Sequence, residues 1–399
     1  MTKQLPSAPW TSHPGLTLLT QVLGAPNIRW VGGAVRDTLL GSAVADVDCA
    51  TKHEPARVID LCSAAGIRTI PTGIDHGTVT AIFESENGGK PWPVEITTLR
   101  RDVATDGRRA TIAFASEWRE DAARRDFTIN ALYADPVTGE ISDYFDGLED
   151  LAARRVRFIG DARQRIAEDH LRILRYYRFQ ARFGADLDEE AESACADMAE
   201  TLKGLSRERI ADELTKLLSL PDPHETITRM HARGVWGVVL PETCSAHLAA
   251  LARLIAAEAE AGIAPNPIRR LAALLPPSRD VAETCAARLR LSKAQRARLI
   301  NAAERRNDDA ANPRALAYTV GLDQARDRLL LLGASAATLD DWTAPQFGLK
   351  GRAIVARGIA AGPEVARILR AVEVRWVAEG FPDADRVETL LNEELSARL

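Results

Sequence analysis

Strand-forming sequence is confined to roughly the first 150 residues of this 399-residue chain. Short runs rich in β-branched residues alternate there with helical periods, and we predict strands at residues 67–71, 78–83 and 94–98 and a helix at 54–65. Beyond Leu151 the period is helical, with breaks at the pairs Pro221/Pro223, Pro265/Pro267, Pro276/Pro277, Asn312/Pro313 and Gly362/Pro363. The pattern predicts an α+β domain followed by an all-helical remainder.

A glycine pair after an apolar run is the first candidate functional feature. We predict a strand at residues 28–31, a turn at Gly32 and Gly33, and a helix at 34–40. A glycine turn lets the backbone approach a phosphate closely, and the N-terminus of the following helix favours anions. Arg36 would add positive charge on that helix. The segment therefore predicts a phosphate-binding cradle.

Two aspartates lie on a further strand that we predict at residues 44–49. Because Asp46 and Asp48 are two positions apart, their carboxylates would point to one face of that strand. Such a pair beside phosphates suits Mg²⁺, a hard cation that prefers oxygen ligands, and a two-metal site would follow. Alone, a glycine pair is usually a tight turn, and Asp-x-Asp is usually a solvated loop or cap. Together, in this order, they predict nucleotidyl transfer.

A third carboxylate is expected where two metals align a hydroxyl nucleophile with an α-phosphate. Glu95 is the candidate, because it lies in an apolar-flanked strand where an unpaired buried acid would be costly. The alternative is a glutamate on an edge strand that faces water.

Residues 124–131 combine basic, acidic and amide side chains. Arg125 would meet phosphate, while Asp126 and Asn130, four positions apart on one predicted helical face, would hold sugar hydroxyls. The alternative is a capped helix start, in which Asp126 only satisfies backbone N–H groups.

Charged residues recur every three positions in residues 168–178, at Asp169, Arg172, Arg175 and Arg178. On a helix they would form one polar patch, which is usually a surface ion-pair ladder. Cytosine and adenine, however, both present a donating amine beside an accepting ring nitrogen. One Asp and one Arg would therefore admit CTP and ATP and reject UTP and GTP, because the wrong base leaves buried polar groups unpaired.

Five segments resemble, in order, the signatures of the class II tRNA nucleotidyltransferase and poly(A) polymerase family. The chain is most similar to the bacterial CCA-adding enzymes of that family, over roughly its first half. The segments are residues 32–37 with Asp46 and Asp48, residues 124–131, residues 144–151, Glu168 with Asp169 and Arg172, and residues 206–210 with Glu213.

The resemblance implies a polymerase-β-like nucleotidyltransferase head at residues 1–150, a helical neck that recognises the base at 151–220, and a helical body and tail that bind the tRNA acceptor arm at 221–399. It also implies a flexible loop at 100–118, whose acidic and basic lever residues CC-only enzymes lack. Residues 86–92 look like a hairpin-tip extension before Glu95. The implied roles are Mg²⁺ binding by Asp46 and Asp48, phosphate contacts by Gly33, Arg36 and Arg125, ribose selection by Asp126, base recognition by Asp169 and Arg172, and nucleotide support by Arg175 and Arg178.

The implied activity is template-independent addition of CCA to tRNA 3′ ends from CTP and ATP, with Mg²⁺ as cofactor. Enzyme alternatives are a poly(A) polymerase and an A-only or CC-only tRNA nucleotidyltransferase. Poly(A) polymerases of the family carry a basic Gly-Arg-Arg-Phe element, which residues 70–77 lack. The non-enzyme alternative is an RNA-binding protein with an inactive head. Intact Asp46, Asp48, Arg125 and Asp169 disfavour it, because a dead site has no physical reason to keep several costly charges together.

Composition restricts the setting. The net charge is −5, and most of the 51 basic residues are arginine. Arginine is well suited to phosphate contacts, but a GC-rich genome would also favour arginine codons. The five cysteines are scattered without a Cys-x-x-Cys pair, which argues against disulfides and zinc. Because neither a signal-peptide pattern nor an apolar run of membrane-spanning length is present, we expect a cytoplasmic protein. We expect neither a membrane nor a stable protein partner.

Overall fold

Strands and helices of the chain are separated as the sequence predicted. The computed structural model describes residues 3–84, 90–105 and 110–397, so the predicted hairpin tip at 86–92 and loop at 100–118 fall partly outside the described residues. The described strands are β1 (Ile28–Val31), β2 (Val47–Thr51), β3 (Arg68–Gly73), β4 (Thr78–Phe83), β5 (Trp92–Thr98), β6 (Arg100–Thr105), β7 (Ala110–Phe114), β8 (Leu132–Ala134) and β9 (Ile141–Asp143).

Helices lie between several of these strands, and beyond β9 the described part of the chain contains helices and no further strand. Those up to Val239 are α1 (Pro14–Leu23), α2 (Gly33–Leu39), α3 (Pro55–Ala64), α4 (Trp118–Ala123), α5 (Gly147–Ala153), α6 (Ala162–Glu168), α7 (Arg172–Phe183), α8 (Glu189–Asp197), α9 (Arg207–Leu218), α10 (His224–Ala232) and α11 (Val235–Val239). The later ones are α12 (Ser245–Glu260), α13 (Pro267–Ala273), α14 (Arg279–Arg288), α15 (Lys293–Ala303), α16 (Pro313–Val320), α17 (Leu322–Leu331), α18 (Gly351–Val355), α19 (Pro363–Ala378) and α20 (Ala384–Ser396).

Seven strands form one mixed sheet in the order β3-β4-β5-β2-β1-β8-β9, and β6 pairs separately with β7. β2 and β5 run parallel, whereas the other neighbours in the sheet are antiparallel. In this register Asp48 lies opposite Val31 on one side and Glu95 on the other. The sheet therefore brings the end of β1 and two of the predicted carboxylates together.

Two predictions of local structure before residue 132 are wrong. The predicted strand at 44–49 begins only at Val47, so Asp46 lies just before β2. The predicted helix at 124–131 is a single 3-10 turn at Thr128–Asn130, preceded by extended backbone at Phe127. Phe127 forms a β-bridge with Phe158 and packs in an aromatic cluster. Tertiary packing has overridden the local helical pattern there.

Proline and glycine breaks mark helix ends, as predicted. Pro267, Pro313 and Pro363 each occupy the first position of a helix, α13, α16 and α19 respectively. That position suits proline, because the first N–H groups of a helix have no intrahelical partner. Among the described residues no helix combines the length and apolar character needed to cross a membrane.

The chain divides into two compact units. The first comprises Met1–Leu217 and Glu225–Pro241, and the second comprises Leu218–His224 and Glu242–Leu399. The first contains the sheet, and the second is helical.

A buried charge cluster lies in the core of the second unit. Glu258 accepts from Arg269 Nε at 2.7 Å and from Arg270 Nε at 2.8 Å, and all three residues are at most 3% exposed. Arg270 also donates to the backbone oxygens of Leu218 and, at 2.9 Å, of Pro221. This cluster therefore fixes the segment at which the chain first enters the second unit.

Glu258→Gln should lower the free energy of unfolding of the second unit by about 3 kcal/mol, because removing one partner of a buried ion pair leaves uncompensated charge. The measurement is the midpoint of thermal unfolding. Glu379→Gln is the matched control, because Glu379 pairs with Arg386 on the surface. Equal shifts for the two variants would contradict this account of the cluster.

Candidate active site

A cavity of about 500 Å³ in the first unit collects most of the residues predicted from sequence. It is open to solvent and lies between the end of β1, the start of β2 and one face of α7. Ten predicted site residues line it: Gly32, Gly33, Arg36, Asp46, Asp48, Arg125, Asp126, Asn130, Arg175 and Arg178. Glu95, Asp169 and Arg172 are not among its lining residues.

The glycine turn forms one wall of the cavity. Gly32 has φ of +71°, a conformation that side chains other than glycine rarely adopt, whereas Gly33 is an ordinary first residue of α2. A Cβ atom on Gly32 would lie 3.4 Å from Arg125 Nη1. Gly32 is thus the glycine that the turn requires, and Arg125 lies directly over it.

Two carboxylates line the cavity at the start of β2, and Glu95 lies beside one of them on β5. Asp46 is exposed and Asp48 half-buried, and both line the cavity. Burial and the negative charge of Glu95 raise the pKa of Asp48 to about 6, with Arg125 opposing this and Asp46 adding to it. Glu95 is not the buried acid that we expected, because its side chain is exposed. It is not on an edge strand either, because β5 lies between β4 and β2 in the sheet.

The donor set fits a magnesium ion shared with a nucleotide. No group of three His, Cys, Asp or Glu side chains among the described residues forms a complete ligand set. Mg²⁺ is usually held by one or two carboxylates, with waters and substrate phosphates completing its octahedron. Asp46 and Asp48 supply two carboxylates. Burial and the charge of Glu95 raise the pKa of Asp48, and a bound cation would stabilise its ionised form.

Arg36 is engaged by protein groups within the cavity wall. It is 4% exposed, donates to Asp37 Oδ1 at 2.8 Å and to Asn130 Oδ1, and burial lowers its pKa. Its guanidinium also lies over the rings of Phe179 and Phe183, at 5.2 and 4.7 Å from their centres. Arg36 therefore joins α2 to α7 in addition to facing the cavity.

Asp126 joins the head to the same helix. Its Oδ1 accepts from Asn130 Nδ2 at 2.9 Å, and its Oδ2 accepts from Arg175 Nε at 2.8 Å. Burial alone would raise the pKa of Asp126, but Arg175 and Asn130 hold it well below its usual range. Glu213, which is also buried, accepts from Arg178 Nε at 2.6 Å.

Arg182 is a cavity residue that sequence reasoning did not single out. Its Nη2 donates to Asp37 Oδ2 at 3.0 Å, which adds a second link between α2 and α7. Arg175, Arg178 and Arg182 are spaced at i, i+3 and i+7, which places them on one face of α7. That spacing is the signal that could have found Arg182.

Asp169 and Arg172 do not form the single helical patch that we predicted. α6 ends at Glu168 and α7 begins at Arg172. Asp169 lies between the two helices and has extended backbone. Asp169 Oδ2 accepts from Arg209 Nη2 at 2.7 Å, whereas Arg172 Nη1 donates to Glu168 Oε2 at 2.6 Å. Each side chain is thus held by a different neighbour.

Two family descriptions match the chain. The poly A polymerase head domain matches residues 28–157, and a probable RNA and SrmB-binding site of polymerase A matches residues 184–246. The first match contains the glycine turn, the three carboxylates and Asp126.

Similarity to characterised proteins extends along most of the chain. Mitochondrial CCA tRNA nucleotidyltransferase 1 of Mus musculus is 35% identical over 393 residues, covering 92% of this chain and 87% of the relative. The CCA-adding enzyme of Lactobacillus johnsonii is 43% identical over 190 residues, covering 47% of this chain and 45% of the relative. The chain therefore belongs to the CCA tRNA nucleotidyltransferase family, which confirms the resemblance found in the sequence.

Solved structures agree with this assignment. Bacillus stearothermophilus CCA-adding enzyme in complex with CTP has a TM-score of 0.75 and 27% identity, covering 97% of this chain and 99% of that one. Thermotoga maritima CCA-adding enzyme complexed with tRNA has a TM-score of 0.68 at 20% identity, covering 98% and 97% of the two chains, and shows the shared fold. The chain has the fold of these nucleotidyltransferases, with its sheet in the N-terminal part.

Asp126→Asn should destabilise the first unit more at about pH 7 than at about pH 3. A carboxyl group whose pKa is depressed by folding contributes stability above its unfolded pKa of about 4, and that contribution is lost as the pH falls toward the folded value. The measurement is the thermal midpoint of wild type and variant at both pH values. Asp212→Asn, on the surface beside Lys216, is the control. A difference between wild type and Asp126→Asn that does not change with pH would contradict the role of the Asp126–Arg175 pair.

Proposed function

We propose that this enzyme adds CCA to the 3′ ends of tRNA, using CTP and ATP without a nucleic acid template. The observation that carries the proposal is the cavity in which the Gly32 turn, the Asp46–Asp48 pair and the arginines of α7 meet. The relatives named for CCA addition and the similar structure with bound CTP support the choice of substrates.

Nucleotidyl transfer at this cavity needs a triphosphate between its two walls. The phosphates would lie along the Gly32 turn beneath Arg125, while Arg175, Arg178 and Arg182 would supply positive charge from α7. The terminal 3′ oxygen of tRNA then forms a bond to the α-phosphorus, and the bond from that phosphorus to the bridging oxygen breaks, which releases pyrophosphate. Mg²⁺ held by Asp46 and Asp48 would lower the pKa of the attacking hydroxyl and neutralise charge on the leaving group.

Glu95 and Asp126 take supporting roles in this proposal. Glu95 adds the third negative charge beside Asp48, across the β2–β5 pair. Asp126, held by Arg175 and Asn130, would contact the ribose.

Base recognition is proposed for Asp169 and Arg172. Asp169 retains 27% of its side-chain exposure despite its pair with Arg209, so it can still accept from an exocyclic amine. Arg172 is 11% exposed, and its Nη2 lies 3.2 Å from the backbone oxygen of Arg124. That contact links the proposed base reader to the segment that carries Arg125.

We assign the head to residues 1–150, the neck to 151–220, and tRNA acceptor-arm binding to the body and tail at 221–399. The match of residues 184–246 to an RNA-binding family region supports RNA binding beyond the head. The cytoplasmic location stays a prediction, and the similar enzymes of Mus musculus and Homo sapiens are named as mitochondrial.

The direct test incubates the protein with Mg²⁺ and tRNA lacking its 3′ CCA, with each nucleotide singly and together, and sequences the products. We expect CC from CTP alone and CCA from CTP with ATP. Asp46→Asn and Asp48→Asn should each reduce incorporation at least about 1,000-fold while tRNA binding persists. Asp60→Asn, on the exposed surface of α3, is the control.

The products also separate the alternatives. Long A tracts would indicate a poly(A) polymerase, and products that stop at CC would indicate a CC-only enzyme. Addition of A only to tRNA that already ends in CC would indicate an A-only enzyme. If the wild-type protein incorporates no nucleotide, the remaining interpretation is an RNA-binding protein with an inactive head. Normal turnover by Asp46→Asn or Asp48→Asn would contradict the metal assignment.

Asp169→Asn and Arg172→Gln should weaken selection against UTP and GTP. Each change removes one of the two complementary groups that read the base edge, so we expect the ratio of kcat/KM for CTP over UTP to fall about 10-fold or more. Arg163→Gln is the control, because its exposed pair with Asp197 lies elsewhere on α6 and α8. An unchanged ratio would show that Asp169 and Arg172 are structural.

A further inference from the structure

Asp121 is a buried carboxylate outside the cavity that binds four donors. It lies on α4 with 1% of its surface exposed. Its Oδ1 accepts from Arg124 Nε at 2.7 Å and from the backbone N–H of Arg100 at 3.3 Å. Its Oδ2 accepts from Arg125 Nη2 at 3.2 Å and from the hydroxyl of Tyr133. A group that receives four donors in the core is placed by strong constraints.

Two of the three guanidinium nitrogens of Arg125 are held by this arrangement. Nη2 binds Asp121, and Nε donates to the oxygen of Tyr133 at 2.9 Å. Tyr133 is itself fully buried on β8, where it pairs with Val31 at the end of β1. The Asp121–Tyr133 pair thus ties the Arg125 guanidinium to the strand that precedes the glycine turn.

The third nitrogen of Arg125 faces the cavity. Nη1 lies 3.4 Å from where a Cβ on Gly32 would stand, and Arg125 lines the cavity that Asp48 also lines. A planar guanidinium held at two nitrogens has little freedom left to turn. The direction of Nη1 is therefore set by Asp121 and Tyr133.

We propose that Asp121 is a positioning residue for nucleotidyl transfer: together with Tyr133 it aims Arg125 Nη1 at the space above the Gly32 turn, where the triphosphate binds. This inference rests on the proposed function, because it assigns the triphosphate to that turn.

A carboxylate suits this position better than its amide. All four groups around Asp121 are donors, and an asparagine would turn its own N–H groups toward two of them. Asp121→Asn preserves the shape of the side chain, and with its amide nitrogen at the Oδ2 position it leaves both Arg125 Nη2 and the Tyr133 hydroxyl without this acceptor. The guanidinium then loses its fixed direction.

The test is a double-mutant cycle that measures CTP affinity of the full chain with Mg²⁺ by equilibrium dialysis. Asp121→Asn should weaken CTP binding about 10-fold in the wild-type background, and less than about 2-fold in an Arg125→Gln background. Tyr133→Phe, which removes the other holder of the guanidinium, should show the same dependence on Arg125. Glu192→Gln is the matched control, because Glu192 is a buried carboxylate in the same unit that pairs with Arg233 and Arg229.

The control distinguishes a general loss of stability from a change in the direction of the Arg125 guanidinium. Glu192→Gln should lower the thermal midpoint without changing CTP affinity. Equal losses of CTP affinity for Asp121→Asn in both backgrounds would overturn the positioning role, because they would show an effect that does not pass through Arg125. Unchanged affinity in the wild-type background would overturn it as well. Wild type that binds CTP but does not extend tRNA would contradict only the proposed function, and wild type that binds no CTP would contradict both.

Discussion

The pairing of two head aspartates with one face of α7 is the constraint on which the candidate site depends. Asp37 and Asp126, both buried, bind Arg182 and Arg175 respectively, and Arg36 joins Asp37 to Asn130 beside them. Each pair pays a desolvation cost that only close geometry offsets, so a displaced α7 would leave buried charges unpaired. The width of the cavity between the glycine turn and α7 follows from these contacts.

The same contacts separate charge within the cavity. Asp46 and Asp48 form an acidic wall at the start of β2, where burial and the nearby charge of Glu95 raise the pKa of Asp48. The arginines of α7 and Arg125 form a basic wall around it. A magnesium-bound triphosphate carries positive and negative groups side by side and matches this division. The ion pairs that hold α7 in place therefore also determine the charges that a bound nucleotide would contact.

Sequence patterns predicted those parts of the fold that local rules govern. β4 was predicted at its observed bounds, and three of the proline breaks begin helices. The failures lie where tertiary contacts decide. Phe127 packs in an aromatic cluster, where the predicted helix does not form. The end of α6 at Glu168 leaves Asp169 in extended backbone, outside the helix that begins at Arg172. Sequence patterns identified ten cavity residues, but the partners of their side chains could be read only from the fold.

The central claim is that one nucleotide spans two groups of residues far apart in sequence. A crystal structure of the protein with Mg²⁺ and a non-hydrolysable CTP analogue tests it most directly. We predict the metal at Asp46 and Asp48, the phosphates above Gly32 and beneath Arg125, and the base edge against Asp169 and Arg172. A triphosphate bound in the cavity with its base away from Asp169 and Arg172 would contradict the account.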